Sequence, residues 1–369
     1  MLEQSGGLRP CGFEDADLTT WIGRVEGLEE VPIEGPLAPF DCRTNRVARL
    51  GLESDGFATA VADARDVYGA GRIGVFVGSS TSGIDRTERA YRERDPASLR
   101  LPEWFAYRFA HNAFAPADFV RRYLGLEGVT VAIATACSSS AKAFASAHRA
   151  MAAGLCDAAV VGGVDSLCLT TLYGFNALGL LAPEPCRPWD RNRQGISIGE
   201  AAGFALLEPV RERAGIALIG YGESSDGYHM SSPQPDGAGA AAAIRAALDR
   251  AGLQPDAVDY VNLHGTGTPS NDRTEDRAVI SVLGQAAPCS STKGATGHTL
   301  GAAGVVEALL SWLALEHAFL PGTLNTAEVD SDLRARLLLA TERATPRVAL
   351  SNSFGFGGSN CSLLLERLT

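Results

Sequence analysis

Cys137 follows a buried strand directly and opens a helix, a position from which a thiol can act as a nucleophile. The flanking segments are VTVAIATA (129–136), which is typical of a buried strand, and SSSAKAFASAHRAMAA (138–153), which is typical of a helix. The backbone N–H of Cys137 would lie in the first helical turn, where donors are unpaired and the dipole is positive, so the thiolate is favoured. The same N–H could hold an oxyanion that develops on a thioester carbonyl. Taken alone, the residue fits a small buried side chain in a tight turn equally well.

Two histidines and one lysine occupy comparable places further along the chain. His264 ends the strand-like segment YVNL and enters the turn GTGTP, and His298 precedes a helix within TKGATGHTLGAAG, five residues after Lys293. A lone histidine at a strand end is more often structural than catalytic. In open α/β sheets, however, ligands bind outside the carboxyl ends of the strands. The convergence of Cys137 and the two histidines at such ends therefore predicts a catalytic centre that uses a thiol and two imidazoles.

A glycine-rich loop, NSFGFGGSN (352–360), separates the last two strand-like segments. It is not a phosphate-binding loop, because it lacks GK[ST] and no helix follows it. Its glycines permit positive φ angles and close backbone approach, which also suits a flexible hairpin. The functional interpretation is a mobile loop that brings a backbone N–H and a phenylalanine, from Phe354 and Phe356, to the reaction centre.

The elements that must position these residues form two successive α/β series. Apolar strand-like runs alternate with helical runs, which favours α/β layers with largely parallel sheets. The predicted strands are 72–80, 129–136, 157–166 and 203–210 in the first series, and 216–223, 257–265, 288–292, 347–353 and 360–367 in the second. The predicted helices include 47–66, 103–125, 138–153, 238–251, 272–284 and 301–317. The repetition indicates an internal duplication, with an N-terminal half at 1–212 and a C-terminal half at 213–369. No low-complexity linker separates the halves, so they are expected to pack as one unit.

Composition argues against several classes of function. The chain has 369 residues, of which 46% are hydrophobic, and this is enough for a large buried core. The formal net charge of −11 argues against nucleic-acid binding as the main task. The sequence shows no apolar run of membrane-spanning length and no signal peptide, so no membrane association is expected. The eight cysteines include no CxxC pair, which predicts reduced thiols, no metal site and a cytoplasmic location.

Four segments together resemble the β-ketoacyl-acyl-carrier-protein synthases, the elongating condensing enzymes of fatty-acid and polyketide synthesis. They are ATACSSSAKAF, NLHGTGTPSND, STKGATGHTLGAAGVVEALL and SNSFGFGGSN, and they occur in the order of that family between about residue 70 and residue 369. The resemblance implies an α/β fold of the thiolase type, with two similar halves packed in five layers. It also implies a homodimer, with a heterodimer of related subunits as the alternative.

The resemblance assigns a role to each candidate in the reaction. Cys137 would be the nucleophile that carries the acyl group, and His264 and His298 would drive decarboxylation of the malonyl unit. Two neutral imidazole N–H groups can stabilise the enolate that remains after CO₂ leaves. The acyl and malonyl groups would arrive on the phosphopantetheine arm of an acyl carrier protein, so the chain would bind no cofactor of its own.

The resemblance also assigns supporting roles around this centre. Lys293 would set the local field and geometry, and Glu307 would be the structural carboxylate that pairs with it. Phe356 would supply the second N–H of the oxyanion hole and gate the acyl channel, with Phe354 beside it in the same loop. Lys293 is one of only two lysines against 30 arginines, which suggests a place where a compact ammonium is required.

Two alternatives differ from this interpretation at named positions. A synthase that initiates chains from acyl-CoA would carry asparagine in place of His298, and a thiolase would carry a second catalytic cysteine near its end. Cys361 is late enough, but it falls on a predicted strand beyond the glycine-rich loop. A non-catalytic partner that only sets chain length would lack the nucleophile, usually with glutamine in place of Cys137. The intact residues favour an elongating synthase.

Three further features of the sequence are open to two interpretations each. The aromatic stretch WFAYRF (104–109) could line an acyl pocket or belong to the core or a dimer interface. The arginines at 43, 46 and 49 could meet an acidic carrier protein or simply be solvated. The segment 166–190 resembles stand-alone synthases of secondary pathways, some of which make aryl polyene pigments.

The opening MLEQSGGLRP contains no apolar strand of the kind that usually begins this family. We expect each half of a duplicated fold to have its own first strand, placed centrally in its sheet. A missing central strand would leave ladder hydrogen bonds unpaired. The sequence therefore suggests that the natural chain begins upstream of Met1.

Overall fold

The computed structural model describes residues 5–211 and 214–368, so the division expected between residues 212 and 213 lies outside the described residues. The strands are β1 (Leu8–Pro10), β2 (Trp21–Gly23), β3 (Ile73–Gly78), β4 (Thr130–Ile133), β5 (Ala158–Asp165), β6 (Ile198–Gly199), β7 (Ala201–Leu207), β8 (Gly215–Ser225), β9 (Tyr260–Asn262), β10 (Pro288–Ser290), β11 (Phe319–Leu320), β12 (Arg336–Leu337), β13 (Glu342–Arg343), β14 (Val348–Gly355) and β15 (Ser359–Leu368). The α-helices are α1 (Arg43–Glu53), α2 (Phe57–Tyr68), α3 (Ile84–Arg92), α4 (Ala115–Tyr123), α5 (Ser139–Ala152), α6 (Leu169–Ala177), α7 (Ala238–Ala251), α8 (Pro269–Leu283), α9 (Lys293–Thr296) and α10 (Ala303–His317).

Each half of the chain builds one large mixed sheet, and two smaller sheets, β1-β2-β6 and β11-β13, accompany them. The first sheet has the strand order β4-β3-β5-β7, in which β3 runs parallel to β4 and β5 while β7 is antiparallel to β5. The second has the order β12-β10-β9-β14-β15-β8, in which β15 is antiparallel to both of its neighbours. The pairs formed among β3, β4 and β5 and among β9, β10, β12 and β14 are parallel, as the sequence predicted. The pairs that include β7 or β15 are antiparallel.

The two sheets and their helices stack as five layers. Helices α5 and α10 pack against each other between the sheets, and α1, α2 and α4 cover the outer face of the first sheet. Helix α7 covers the outer face of the second sheet, with α8 packed beside it. The central core joins both sheets through Phe76, Phe144, Val305 and Leu363. This confirms the expected thiolase-like α/β architecture.

Helix α10 is the most apolar element of the central layer. The stretch Leu300–His317 is long and apolar enough to cross a membrane by length and composition, although 61% of it is buried inside the molecule. Its one carboxylate in the middle, Glu307, is also buried and is paired with Lys293. The core position explains the apolar composition.

Two predicted helices differ from the structure. The predicted helix 47–66 is divided into α1 and α2, because Asp55 and Gly56 adopt positive φ angles of 52° and 74° between them. The predicted helix 103–125 shrinks to α4, which has a proline in its first turn. The Asn112 side chain accepts a hydrogen bond from the N–H of Phe114 just before α4, and this local bond favours a turn there.

The first strand of the second half lies at a sheet edge. Strand β8 pairs only with β15 in that sheet. The expectation that such a strand is central is therefore wrong. In the first sheet the equivalent edge position lies beside β7, the antiparallel strand that corresponds to β15. Among the described residues, no strand occupies that position. The expectation of residues upstream of Met1 stays a prediction.

Candidate active site

Cys137 lies in a strained elbow between β4 and α5. Ala136 has a φ of 53°, a left-handed conformation that non-glycine residues rarely adopt. The hydroxyl of Ser139 holds this turn, because it donates to the Ala136 carbonyl at 2.6 Å and accepts from the Thr135 N–H at 2.9 Å. The sequence predicted that the N–H of Cys137 lies in the first turn of a helix. Helix α5 begins at Ser139, so this N–H instead precedes the first turn.

The thiol of Cys137 is protonated at rest. Burial raises its pKa to about 11, although the Lys293 ammonium and a backbone hydrogen bond from Phe356 act in the opposite direction. The expected helix-stabilised thiolate is therefore not what the structure shows. His298 Nε2 lies 3.1 Å from the sulfur, so this imidazole can take the proton when the thiol reacts.

The two histidines face each other, His264 just after strand β9 and His298 between helices α9 and α10. Their ring centroids are 5.3 Å apart, with the planes at 84°. His264 follows β9, and its N–H and that of Gly265 donate to the Glu275 carboxylate at 2.8 Å and 2.7 Å. The N–H of His298 donates to the Ser197 carbonyl at 2.7 Å. Both rings are thus fixed through their backbones, which leaves the imidazoles free for chemistry.

Lys293 is buried beside both histidines. Its ammonium contacts the Glu307 carboxylate and the His264 carbonyl, and lies 3.4 Å from His264 Nδ1. Burial and this positive charge lower the pKa of His264 and His298 well below the ordinary value, so both rings are neutral. Because an ammonium can only donate, His264 Nδ1 accepts, and the ring proton is on Nε2. Burial raises the pKa of Glu307 to about 7.

The glycine-rich loop closes over the sulfur. Phe356 packs its ring against Phe175 at a centroid distance of 5.6 Å, and its backbone hydrogen-bonds the thiol of Cys137. The ring of Phe354 lies 6.0 Å from that of His264. Both phenylalanines therefore lie beside the reaction centre, as the sequence predicted.

Gly355 gives this loop its close approach to the nucleophile. A Cβ atom at this position would lie 2.8 Å from the Thr135 carbonyl oxygen and 3.2 Å from the Cys137 nitrogen. The first distance is shorter than real Cβ contacts allow. Any larger residue would fill the space next to the Cys137 N–H, where an oxyanion would bind.

The nucleophile, both histidines and the glycine-rich loop line one cleft. Its walls combine apolar rings with hydroxyl groups, from Cys137, Phe175, Ile196, His264, Thr266, Thr268, His298 and Phe356 among others. Such a lining suits a long ligand with both apolar and amide portions. The sulfur and one ring nitrogen of each histidine lie within 4.8 Å of one another, which is compact enough for a metal ion. The adjacent Lys293 ammonium opposes a dication there, and the absence of a metal stays a prediction.

Some residues singled out in the sequence lie elsewhere. Cys361 is buried in β15, paired with Ser353, and does not line the cleft. The stretch 104–109 lies in a surface segment and is absent from the cleft lining, so it forms no acyl pocket within one chain. Arg43 is held by Glu29 and Glu200, Arg46 by Asp41, and Arg49 by the carbonyls of residues 31 and 32. All three arginines are bonded within the chain and stay partly exposed, and their contact with a carrier protein stays a prediction.

Two buried carboxylates were missed by sequence reasoning. Glu275 anchors the His264 turn from helix α8, and Asp165, at the end of β5, binds the turn after β3 and the turn after His298. Asp165 gave a weak signal, because it stands in the apolar and small-residue run AAVVGGVDS (158–166). Glu275 gave none, because it is one of several charged residues in NDRTEDR (271–277). Burial of a carboxylate is costly unless donors surround it, so such residues have a specific task.

Two family models match this chain, one in each of the halves that build the two large sheets. Residues 41–213 match the family model described as "Beta-ketoacyl synthase, N-terminal domain", and residues 216–327 match "Beta-ketoacyl synthase, C-terminal domain". Together these regions cover well over half of the chain.

Individual relatives agree with the family models. The 3-oxoacyl-[acyl-carrier-protein] synthase 2 of Vibrio harveyi is 36% identical over 401 aligned positions, which cover 100% of this chain and 93% of the relative. The enzyme of that name from Vibrio cholerae is 36% identical over 321 positions, which cover 81% and 77% of the two chains.

Solved structures show the same architecture. A ketosynthase (ApeO) in complex with its chain length factor (ApeC) from Xenorhabdus doucetiae superimposes with a TM-score of 0.87 at 38% identity, covering 98% of this chain and 90% of that one. The ishigamide ketosynthase/chain length factor gives a TM-score of 0.86 at 28% identity, covering 99% and 93%. Sequence, fold and site geometry lead to one conclusion: this chain belongs to the β-ketoacyl synthase family of acyltransferases.

Proposed function

We propose that this chain elongates acyl groups by decarboxylative condensation with malonyl-acyl-carrier-protein. The observation that carries the proposal is the contact between His298 Nε2 and the Cys137 sulfur at 3.1 Å, with the neutral His264 ring in the same cleft. A thiol, a proton acceptor and a second neutral donor are the groups that the two half-reactions need.

The first half-reaction loads the enzyme. The Cys137 sulfur attacks the thioester carbonyl of the acyl carrier, and its proton passes to His298 Nε2. The oxyanion lies next to the N–H groups of Cys137 and Phe356, for which Gly355 leaves space. The carbon–sulfur bond to the pantetheine arm then breaks, and the departing thiolate takes the proton from His298.

The second half-reaction forms the carbon–carbon bond. Malonyl-carrier loses CO₂, and the electron pair of the broken bond moves onto the thioester as an enolate. Nε2–H of His264 donates to the enolate oxygen. The proton of the neutral His298 ring lies on Nδ1 while Nε2 accepts from the thiol, so His298 becomes a second donor through Nε2 when the ring changes tautomer after the sulfur is acylated. The enolate carbon attacks the acyl-cysteine carbonyl, and the Cys137 thiolate leaves. This thiolate carries the negative charge of the lost carboxylate and takes up one proton from solvent. The product is a β-ketoacyl carrier two carbons longer.

The phosphopantetheine arm of an acyl carrier protein is the proposed vehicle for both substrates. The relatives' names include acyl-carrier-protein, which supports this partner class. Thr266 and Thr268 place hydroxyls along the cleft, where amide groups of the arm need hydrogen-bond partners. The chain itself would need no resident cofactor.

Intact-protein mass spectrometry tests the proposal. Incubation with an acyl-carrier should add the acyl mass to the wild type and not to Cys137→Ala, and malonyl-carrier should then yield a β-ketoacyl product only with the wild type. Cys137→Gln should still release CO₂ from malonyl-carrier, because both histidines remain. A β-ketoacyl product from Cys137→Ala would refute the assignment.

We further propose a cytoplasmic homodimer that serves fatty-acid or polyketide synthesis, including pathways of the aryl polyene type. All eight cysteines are free thiols, which suits a reducing compartment. Strand β4 forms an open edge of the first sheet, suited to pairing with a second copy. The second candidate is a heterodimer, because two similar ketosynthases were solved with a chain length factor. Products formed from a panel of acyl starters would identify the pathway.

A further inference from the structure

Asp165 is a fully buried carboxylate that the proposed reaction does not use. It ends β5 and accepts hydrogen bonds from Ser79 Oγ at 2.7 Å, Ser80 N at 2.9 Å, Thr81 N at 2.9 Å, Thr81 Oγ1 at 2.8 Å and Gly301 N at 2.6 Å. Its relative exposure is 0%. Both oxygens face backbone N–H groups, which can only donate. An amide NH₂ therefore does not fit this site, and the N–H groups favour the carboxylate although burial raises its pKa.

Its donors come from two separate segments of the chain. Ser79, Ser80 and Thr81 form the turn after β3, and Gly301 belongs to the turn after His298. The packing is tight, because a Cβ atom at Gly301 would lie 2.7 Å from Asp165 Oδ2 and 2.6 Å from Ser80 Oγ. The carboxylate therefore joins two turns that are distant in sequence.

Both turns adjoin catalytic residues at points of backbone strain. Ala136, which precedes the nucleophile, and Leu300, which follows His298 by two residues, each have a φ of 53°. Left-handed conformations of this kind persist only where surrounding contacts hold them. Ser80 Oγ donates to the Ala136 carbonyl at 3.2 Å, and Gly301, the next residue after Leu300, donates to Asp165.

We propose that Asp165 is a positioning residue that holds the Cys137 elbow and the His298 turn in register. Through Ser80 it fixes the carbonyl of Ala136, and through Gly301 it fixes the turn that carries His298. We call these hydrogen bonds of Asp165 the clamp. The distance that depends on it is the 3.1 Å between His298 Nε2 and the Cys137 sulfur. Asp165 does not touch the substrate, so its effect must pass through the thiol–imidazole pair.

Asp165→Asn tests the clamp with almost no change in shape. One oxygen becomes an NH₂ group, which then faces a donor such as the Gly301 N–H without an acceptor. We expect acylation of Cys137 by an acyl-carrier to slow by about 10-fold or more, by analogy with other lost active-site hydrogen bonds. The decisive readout is a double-mutant cycle with His298→Ala. If Asp165 acts through His298, Asp165→Asn adds little to the loss already caused by His298→Ala.

A matched control separates positioning from general destabilisation. Asp118→Asn changes another buried carboxylate, which is paired with Arg121 and Arg122 on α4, away from the cleft. It should lower the melting temperature and leave acylation unchanged. Additive losses in the cycle, a normal acylation rate in Asp165→Asn, or equal slowing by Asp118→Asn would each overturn the proposal.

Ser80→Ala decides the case if Asp165→Asn does not fold. It removes only the hydroxyl that links the clamp to Ala136 and keeps the backbone N–H to Asp165. A several-fold slower acylation that disappears in the His298→Ala background would support the clamp. A rate equal to that of the wild type would overturn it.

Discussion

At the scale of single residues, the reactivity of Cys137 is set by opposing effects. Burial raises the thiol pKa to about 11, and the charge of Lys293 lowers it from what burial alone would give. The thiolate is therefore scarce at neutral pH, and the neutral His298 ring must assist its formation. A thiol with these properties is stable at rest and reacts when substrate and histidine are both in place.

The first prediction concerns the pH dependence of this thiol. Alkylation of Cys137 by iodoacetamide should keep accelerating above pH 8, because the thiolate fraction rises until the pH reaches a pKa of about 11. In the double variant Lys293→Met/Glu307→Gln, which removes both charges of the buried pair, the rate at pH 8 should fall, since the lost ammonium had favoured the thiolate. Stopped-flow or mass-spectrometric kinetics measure both rates. A plateau below pH 8 in the wild type would contradict the prediction.

The second prediction is that Lys293→Arg fails to restore the activity lost in Lys293→Ala. Lys293 is 1% exposed, and its ammonium contacts Glu307 and two atoms of His264. A planar guanidinium needs a wider site and presents its donors in a fixed fork. CO₂ release from malonyl-carrier should be about 10²–10³-fold below that of the wild type in both variants, the loss typical of one missing transition-state donor. Near-normal release by the arginine variant would show that only the charge is required.

At the scale of elements, the sequence predicted where the catalytic residues lie relative to strands and helices. It did not predict the backbone strain and the hydrogen bonds that fix their positions. Cys137 and His264 each follow an apolar run, and His298 precedes the apolar helix α10, so their convergence could be predicted from the pattern of strands and helices. The strain at Ala136 could not, because alanine gives no local signal for a positive φ. The clamp by Asp165 depends on donors from residues 79–81 and from Gly301, which lie 84 to 136 positions away in sequence.

Surface features were also harder to predict than the site. The arginines of α1 looked available for a partner, but two are bound by carboxylates and one by carbonyl groups. Only the fold brings Glu200 next to Arg43, 157 positions away in sequence. Pairing of this kind is a property of tertiary structure, whereas hydrophobic periodicity is local.

The third prediction belongs to the strand–loop junction at Gly355. In Gly355→Ala the new methyl group would meet the Thr135 carbonyl and crowd the Cys137 N–H. Loss of one oxyanion donor costs about 10²–10³ in rate, so acylation and condensation should both fall by this order. Gly357→Ala is the matched control within the same loop, because a Cβ there has open space although its φ of 78° adds strain. If Gly355→Ala acylates as fast as Gly357→Ala, the loop does not form the oxyanion site.

At the scale of the whole molecule, duplication places the chemistry between two sheets. Each half contributes turns at the ends of its strands, with the nucleophile from the first and the histidines and lysine from the second. Helices α5 and α10 form the shared layer, so Cys137 and Glu307 are held by elements that pack against each other. The second sheet has outer strands on both sides of its catalytic strands, whereas β4, which leads to Cys137, is itself an edge.

The last prediction follows from that edge. The carbonyls of Val129 and Ile133 accept hydrogen bonds from β3, so the alternate residues of β4, including Ala132, direct their N–H and carbonyl groups away from the sheet. Antiparallel pairing of two β4 strands across a twofold axis would satisfy these groups and join the two first sheets. Ala132→Pro removes the outward N–H and spares the bonds to β3, so the fold should survive while association weakens.

Size-exclusion chromatography with light scattering measures the outcome. The wild type and the control Ala132→Val should elute with twice the mass of the chain, and Ala132→Pro should shift towards the monomer at micromolar concentration. Because β4 leads directly into the elbow of Cys137, the monomer should also lose acylation activity, which returns if dimerisation is restored at high concentration. A wild type that is monomeric alone and dimeric only with a related subunit would instead support the heterodimer. A dimer that Ala132→Pro leaves intact would place the interface elsewhere.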